Sequence, residues 1–451
     1  MRASLLLSLL FWGCAAAPAR APDRPLPGAL DAYFDRPRTL LVFMTGWCES
    51  CERQYPELER WALEHLSAVH TVAVVSGTSQ ESLEKMPVYQ RKKLDIVFDE
   101  DGAIADRFGV SATPTLVLMT AARVERSRYR SVQELSTSTG AVALETLRDT
   151  GTELGTTYEA VLLADPEDRA RAQQDLAAAR ILVKRYDAQL SEWRADSEIS
   201  KLNRTAAERV VPLSPELRQI LRGSIYVAGV TGGAFDISWR PIGELWDRAG
   251  ARGTAPEEEE IEEALRGVGA DKLVLDERGI YFRNAAVKLG IGSSAKGWIV
   301  DRVFELLDRG HYPQVTVKIG GDLRTRGKDA QGKASVFRLV DPYAPGQTIA
   351  TLEVEGVAIA TSGNYLRGRS VGDTFVGHIF DPRTGRPPRF DGSVTVLTHD
   401  AAMATALSTG LFVLGPDDGL ALAKTLPGVE VVYATKQGLR STLAVGGGLH
   451  P

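Results

Sequence analysis

A chain of 451 residues with 44% hydrophobic and 25% charged side chains holds enough apolar material for two or more cores and too much to stay unfolded. Its formal net charge of -5 and pI near 5.8 exert no overall attraction on nucleic acid. No Lys/Arg cluster interleaved with aromatic residues occurs along it, so no nucleic-acid partner is expected.

Met1-Arg2, the apolar run Ala3 to Trp12 and the small residues behind it fit a secretory leader over residues 1–22, too short to span a bilayer as a mature helix. Export is the expectation. Two processing routes stay open: acylation of Cys14 at a lipoprotein site, where Phe11 stands in place of the usual leucine, or cleavage near Ala15 to Ala21. No other stretch reaches the ~18 consecutive apolar residues of a membrane span, so any attachment to a membrane runs through the N-terminus, as a lipid on Cys14.

The two cysteines beyond the leader form Trp47-Cys48-Glu49-Ser50-Cys51. A structural disulfide in an oxidising compartment normally closes a longer loop, so this pair reads as a redox couple. A zinc site is the competing reading, but no second Cys/His pair at finger spacing accompanies it. Thr39 to Met44 predicts a buried strand entering the motif. Arg53 to Leu66 predicts a helix with Leu58, Trp61, Ala62 and Leu66 on one face and a kink at Pro56. Cys48 then lies at a helix N-terminus, where the macrodipole favours its thiolate. Leu94 to Asp99 leads to a short helix through Phe108, and Ser111-Ala-Thr113-Pro114-Thr115 enters a strand through Met119.

These motifs resemble exported thioredoxin-like proteins over residues 30–125. The resemblance implies an α/β thioredoxin-like fold, Pro114 as a cis-proline across from the disulfide, Cys48 and Cys51 as catalytic residues, and a thiol-disulfide redox partner. Glu49-Ser50 between the cysteines tunes the reduction potential and leaves the direction of electron flow open. The loose, polar stretch 126–147 reads as a linker.

A second domain is expected over residues 148–451. Leu154-Gly155-Thr156-Thr157-Tyr158 opens a strand through Leu163, followed by a helix from about Pro166 to Leu190 with Leu176, Ala179, Val183, Tyr186 and Leu190 on one stripe. Leu190 to Asn203 contains Trp193 among serines, and Gly233-Ala234-Phe235-Asp236-Ile237-Ser238 follows. The acidic run Pro256 to Glu263 reads as an ordinary solvated helix start with Thr254 as N-cap. In Leu289-Gly290-Ile-Gly292-Ser293-Ser294-Ala295-Lys296-Gly297, Gly-rich backbone opening a helix can cradle phosphate while the lysine neutralises it. Gly320-Gly321-Asp322 reads as a turn. His378-Ile-Phe380-Asp381-Pro-Arg383-Thr-Gly385 packs an imidazole, a carboxylate and a guanidinium into a tight turn suited to a phosphorylated ligand; alone it would be a plain surface hairpin. Thr405, Ser408 and Thr409 begin an apolar helix that reaches Gly415.

Together these blocks resemble the FAD:protein FMN transferase family, periplasmic or lipid-anchored enzymes. The resemblance implies an α+β flavin transferase-like domain that transfers FMN from FAD to a threonine or serine of an exported acceptor flavoprotein subunit, releasing AMP. It implies FAD contacts at Leu154, Trp193, Ala234, Phe235, Asp236, Lys296, Phe380, Asp381 and Arg383, with Asp381 and Arg383 organising the turn and the pyrophosphate. Leu154 stands where the family has methionine, and Trp193 offers the flavin an aromatic face or, equally, fills a core. His378 is the candidate base, since an unperturbed imidazole with a pKa of about 6.5 accepts a proton at neutral pH; a structural histidine is the alternative. Magnesium is implied at the backbone oxygen of Ser293, at Thr409 and at position 405, where Thr405 replaces the family's aspartate. Gly290 replaces another. Magnesium prefers anionic oxygens, so weak affinity is expected; Asp400 is off register, and Lys296 can supply part of the charge. Two other functions fit the residues: a flavin-binding thiol-disulfide oxidoreductase whose transferase chemistry has lapsed, and an FAD pyrophosphatase with water as acceptor.

Overall fold

The computed structural model describes residues 28–450 except 35–37, 46–47, 67–68, 78–79, 87–89, 91–92, 121–122, 124, 138–143, 311, 345, 366 and 444–448. The leader with Cys14, and Trp47, lie outside the described residues. The chain divides into two compact units, Met1–Ala141 and Val142–Pro451.

In the first unit a 3-10 turn (Gly28–Tyr33) precedes β1 (Arg38–Thr45), α1 (Glu49–Glu64), β2 (Val69–Ser76), α2 (Gln80–Lys85), β3 (Asp95–Asp99), α3 (Ala103–Arg107), β4 (Thr115–Thr120), β5 (Glu125–Tyr129) and α4 (Val132–Thr137). The strands form one sheet ordered β3-β2-β1-β4-β5, parallel between β1, β2 and β3 and antiparallel at β4 and β5. β1 and β2 are near-continuous apolar runs because central strands bury both faces. Leu41, Phe43, Val72, Val74, Val117 and Met119 form one core with Leu30 and Ile104.

Two expectations change here. The helix after the first cysteine starts at Glu49 and ends at Glu64, so Leu58, Trp61 and Ala62 are buried, whereas Leu66 lies beyond its end and is 52% exposed. Much of the stretch assigned to a linker is structured: β5 is the edge strand of the sheet, and the Val132 amide of α4 donates to Gln54 Oε1 of α1. An edge strand buries little, so its Glu-Arg-Ser-Arg-Tyr sequence reads as polar loop, although Tyr129, Val132 and Leu135 are buried.

The second unit runs β6 (Glu145–Glu153), β7 (Thr156–Ala164), α5 (Arg169–Leu190), α6 (Glu198–Thr205), α7 (Pro215–Val230), α8 (Arg240–Arg252), α9 (Glu258–Leu265), β8 (Leu273–Asp276), β9 (Gly279–Phe282), α10 (Gly292–Asp308), β10 (Gln314–Ile319), β11 (Asp322–Arg326), β12 (Ser335–Val340), β13 (Thr348–Val354), β14 (Val357–Gly363), β15 (Gly368–Val371), β16 (Thr374–Gly377), β17 (Ser393–Thr398), α11 (Ala401–Ala423), β18 (Glu430–Thr435), β19 (Gly438–Ser441) and β20 (Leu449–His450). An antiparallel sheet ordered β19-β18-β17-β14-β11-β10-β7-β6 forms its centre. Leu162, Val317, Ala358 and Val396 of this sheet share a core with Val183 of α5, Val300 and Phe304 of α10 and Leu407 and Leu411 of α11. Leu323, Ile359, Leu397 and Val432 share another with Leu339 and Leu352 of the small sheet β12-β13-β20. Helices and a second sheet thus cover opposite faces of the main sheet, because side chains alternate along each strand.

The stripe expected on the long helix is what α5 buries: Leu176, Ala179, Val183, Tyr186 and Leu190, with Ala172. The acidic helix begins later than Thr254 suggests, since Glu257 is its N-cap and forms a reciprocal capping box with Glu260. Leu154 does not open a strand. It forms, with Gly155, the two-residue turn between β6 and β7 at φ 54° and 68°, a conformation that costs a leucine roughly 1–2 kcal/mol.

Candidate functional site

The second unit surrounds a cavity of about 1780 Å³, above the roughly 300–1000 Å³ of ordinary small-ligand sites and therefore roomy enough for a dinucleotide. Its wall gathers Leu154, Trp193, Ala234, Phe235, Asp236, Ser293, Lys296, His378, Phe380, Thr405 and Thr409, which are scattered over much of the sequence. Asp381 and Arg383 are not among its lining residues.

The α10/α11 seam organises one wall. A Cβ at Gly297 would lie 2.1 Å from the Ala401 oxygen and 2.3 Å from Thr405 Oγ1, so only glycine permits this approach. The seam is pinned by Asp301, whose carboxylate accepts from the amides of Ala401 and Ala402, both at 2.9 Å, and from Arg324 at 2.7 Å. Burial nevertheless pushes the Asp301 carboxyl above its ordinary pKa. Asp400 caps α11 by accepting from the Met403 amide at 2.8 Å, so it is not available to replace a carboxylate at position 405.

The Gly-rich entry to α10 is partly occupied by protein. The Gly292 amide donates to Glu192 Oε1 at 2.6 Å, and Glu192 Oε2 accepts from Arg240 at 2.8 Å, so this amide is not offered to a phosphate. Gly290 also has a local reason: a Cβ there would meet Trp239 Nε1 at 2.7 Å, and that indole donates to the Gly290 oxygen at 3.0 Å. Trp239 fills the space an aspartate would need.

Among the described residues, no group of three or more His, Cys, Asp or Glu side chains could hold a metal. Thr405 Oγ1 donates to the Ala401 oxygen at 2.7 Å and Thr409 Oγ1 to the Thr405 oxygen at 3.3 Å, so each hydroxyl spends its proton within its own helix and would offer a cation only neutral lone pairs. The nearby carboxylate is that of Asp322, buried in the Gly-Gly-Asp hairpin between β10 and β11. Among the described residues no geometrically well-formed hydrogen bond reaches its Oδ2, and Lys296 Nζ stands 3.7 Å away. Burial raises the Asp322 pKa, opposed by Lys296 and by Thr405 beside it. Magnesium demands near-octahedral oxygen geometry and at least one committed carboxylate. Here the carboxylate already has a cation, and each further positive charge brought within about 4 Å of that ammonium costs roughly 4 kcal/mol at an effective dielectric of about 20. These residues do not fit magnesium.

His378 opens onto the cavity, with Nδ1 against the Arg367 oxygen at 3.3 Å, a contact that places the proton on Nδ1 and leaves Nε2 as acceptor. The residue as a whole is exposed, yet desolvation of the ring where it faces the cavity, opposed by the Arg367 carbonyl and aided by the cations Arg367, Lys296 and Arg369, lowers its pKa to about 4, below the 6.5 of a free imidazole. At neutral pH the ring is uncharged.

Trp193 is 84% exposed, which removes the core alternative; the Arg240 guanidinium stacks 5.1 Å from its ring centroid and is itself held by Glu192 and Glu244. A tethered indole on a cavity wall is a ready stacking platform. Phe380 stacks on Trp246 at 5.5 Å and carries Arg369 on its ring at 5.6 Å. Asp236 is buried, its Oδ1 accepting from the Ser238 amide at 2.8 Å and hydroxyl at 2.6 Å, and burial raises its pKa. Arg383 does not reach toward the cavity: its Nε and Nη2 form a fork on Asp381, both bonds 2.9 Å. The tight turn, closed by the backbone bridge between Asp381 and Arg386, leaves the Asp381 and Arg383 side chains satisfying each other.

Residues the sequence reading passed over are Asp322, taken for a turn, and Arg367 and Arg369, whose alternate spacing at the start of β15 was the available signal. Asp301 and Glu192 gave none, because their partners are amides distant in sequence.

In the first unit Cys48 and Cys51 form a disulfide with Cα atoms 5.2 Å apart. Cys48 is the N-cap of α1, its sulfur accepting from the Cys51 amide at 3.1 Å, and it is the more exposed of the two, at 9% against 2%. The Thr113–Pro114 peptide is cis, and Thr113 Oγ1 lies 3.3 Å from Thr45 Oγ1, at the end of the strand that leads to the cysteines.

Known proteins resemble both units. The AhpC/TSA family matches residues 28–131, and with its sheet order this gives the first unit a thioredoxin-like fold. The chain is 31% identical over 284 residues to the FAD:protein FMN transferase of Haemophilus influenzae, covering 61% of this chain and 82% of that one. It is 30% identical over 287 residues to an enzyme of the same name from Klebsiella pneumoniae, covering 62% and 89%. The flavin transferase ApbE from Vibrio cholerae superposes with a TM-score of 0.58 at 27% identity, over 66% of this chain and 97% of that one. The ApbE protein of Thermotoga maritima gives a TM-score of 0.58 at 29% identity, over 66% and 96%. With the ApbE family matching residues 154–433, well over half its length, the chain belongs to the ApbE family.

Proposed function

We propose that the second unit transfers FMN from FAD to a threonine or serine hydroxyl of an acceptor protein and releases AMP. The observation that carries this reading is one cavity of dinucleotide size that brings a neutral His378, Lys296 and the exposed indole of Trp193 together in a member of this family. In the transfer, the acceptor oxygen attacks the FMN phosphorus while the bond from that phosphorus to the bridging oxygen breaks, its electron pair leaving on AMP. The hydroxyl proton passes to His378 Nε2, the ring nitrogen opposite the one held by the Arg367 oxygen. Phosphoryl transfer gains chiefly from positioning and from charge placed on the phosphate oxygens. Lys296 and Arg367 supply that charge and Trp193 stacks on a ring of the dinucleotide; among the described residues no group of three or more His, Cys, Asp or Glu side chains offers magnesium a site, and no step is routed through it.

The same reading places the protein in the periplasm by way of its leader, with a lipid on Cys14 as the anchor if that residue is acylated. The first unit exchanges its Cys48–Cys51 disulfide with a separate redox partner. Incubation of the purified protein with FAD and a peptide carrying an acceptor threonine tests the transferase: the peptide gains the mass of FMN. Free FMN and AMP without adduct would mean hydrolysis, and FAD recovered intact would mean binding alone.

A further inference from the structure

We propose that the phosphate end of this cavity works with a built-in ammonium, Lys296, positioned by the buried carboxylate of Asp322, in place of a divalent cation. The inference rests on the FAD reading above but concerns what holds the phosphates.

Several independent features converge on it. Position 405 carries a neutral hydroxyl committed to the Ala401 oxygen, and the seam beside it is closed to the point that a methyl on Gly297 would overlap Thr405 Oγ1. The acidic residues around the start of α11, Asp301 and Asp400, are consumed as caps. Asp322 is 4% exposed and lines the cavity; among the described residues its Oδ2 accepts no well-formed hydrogen bond, and its ion-pair partner Lys296 Nζ stands 3.7 Å away. A buried carboxylate without a cation is costly, so the ammonium of Lys296 is drawn to this place and kept there. Lys296 itself remains 31% exposed, which leaves its other donors open to a ligand. Arg367, on the same wall, adds a second positive charge. A diphosphate entering here meets fixed cations, and the leaving phosphate oxygen can take its compensating hydrogen bond from Lys296 Nζ without a metal.

The test compares FAD affinity of the full-length protein in EDTA and in excess magnesium, by flavin fluorescence, and in parallel titrates manganese alone, read by electron paramagnetic resonance. FAD affinity is expected to agree within about threefold between the two buffers, with no stoichiometric manganese bound. Affinity about tenfold or more tighter in magnesium, or manganese binding that Asp322→Asn abolishes, overturns the proposal. Peptide flavinylation in the same buffers separates this from the functional reading. FAD bound equally in both without adduct sinks the transferase and leaves the Lys296 assignment standing, whereas adduct formed only with magnesium does the reverse. If FAD does not bind, the manganese titration decides. Lys296→Met is expected to weaken FAD in EDTA by roughly 10-fold or more, the scale of one charge-assisted hydrogen bond, with partial recovery in Lys296→Arg. Unchanged affinity in Lys296→Met also overturns it. Asp322→Asn, as a positioning change, is expected to weaken FAD in EDTA in the same direction as Lys296→Met but by less, and to lower kcat; a change in folding stability alone, with FAD affinity and kcat intact, refutes its role.

Discussion

Gly297→Ala sets two physical effects of opposite sign against each other. In a helix interior, alanine in place of glycine gains about 1 kcal/mol from backbone propensity. At this position the added methyl would sit 2.1 Å from the Ala401 oxygen, 2.3 Å from Thr405 Oγ1 and 2.6 Å from the Ala401 carbonyl carbon, two of these being backbone atoms. The start of α11 must retreat by roughly 1 Å or more to restore ordinary contact. Overpacking of that kind costs about 1–3 kcal/mol. The retreat also stretches the two 2.9 Å hydrogen bonds from the Ala401 and Ala402 amides to Asp301, each charge-assisted and worth roughly 1.5–3 kcal/mol. These losses are coupled, so the expected net destabilisation is about 3–5 kcal/mol rather than their sum. For the unit Val142–Pro451, whose unfolding entropy is roughly 0.65 kcal/mol/K, that lowers Tm by about 5–8 °C. Calorimetry of the full chain reads it in the transition that bound FAD raises. An unchanged or higher Tm would mean that propensity wins and that the seam is not sterically closed.

The pH profile of FMN transfer checks His378. A base is active unprotonated, so with its pKa held at about 4 the rate should stay level from neutrality downward and fall through a midpoint near that value; a midpoint near 6.5 would remove the electrostatic account. Trp193→Ala should weaken FAD by about 10-fold, the value of roughly 1–1.5 kcal/mol of stacking, at unchanged Tm, since the indole is 84% exposed; a large fall in Tm would make it structural instead. Arg383→Met should change FAD affinity by less than about twofold, because its fork is satisfied by Asp381 outside the cavity; a loss matching that of Lys296→Met would contradict this placement. Cys48→Ser should abolish reduction of insulin disulfides while FAD binding persists, and retained reductase activity would end the dithiol assignment.

Patterns that depend on neighbouring residues were legible in the sequence. The CxxC pair ahead of a helix, the Thr-Pro turn and the five-residue stripe of α5 all come from short-range chemistry and helical period, and each has its counterpart in the structure. The family blocks likewise marked most of the cavity wall, Leu154, Trp193, Lys296, His378 and Phe380 among them. Expectations failed where a local pattern was bland. β5 looked like linker because an edge strand needs few apolar residues; Asp381 and Arg383, read as organising both the turn and the pyrophosphate, stand in the structure at the turn, Arg383 forking on Asp381. The electrostatics of the site belong to the tertiary structure alone. Asp322 and Lys296 come from different elements and meet only when α10 packs on the sheet, as do Asp301 and the start of α11. Sequence by itself determined that a carboxylate is missing at position 405. Only folding decided that another buried carboxylate, already holding an ammonium, stands beside the vacancy, because desolvation and distance set the worth of a charge and neither is written along the chain.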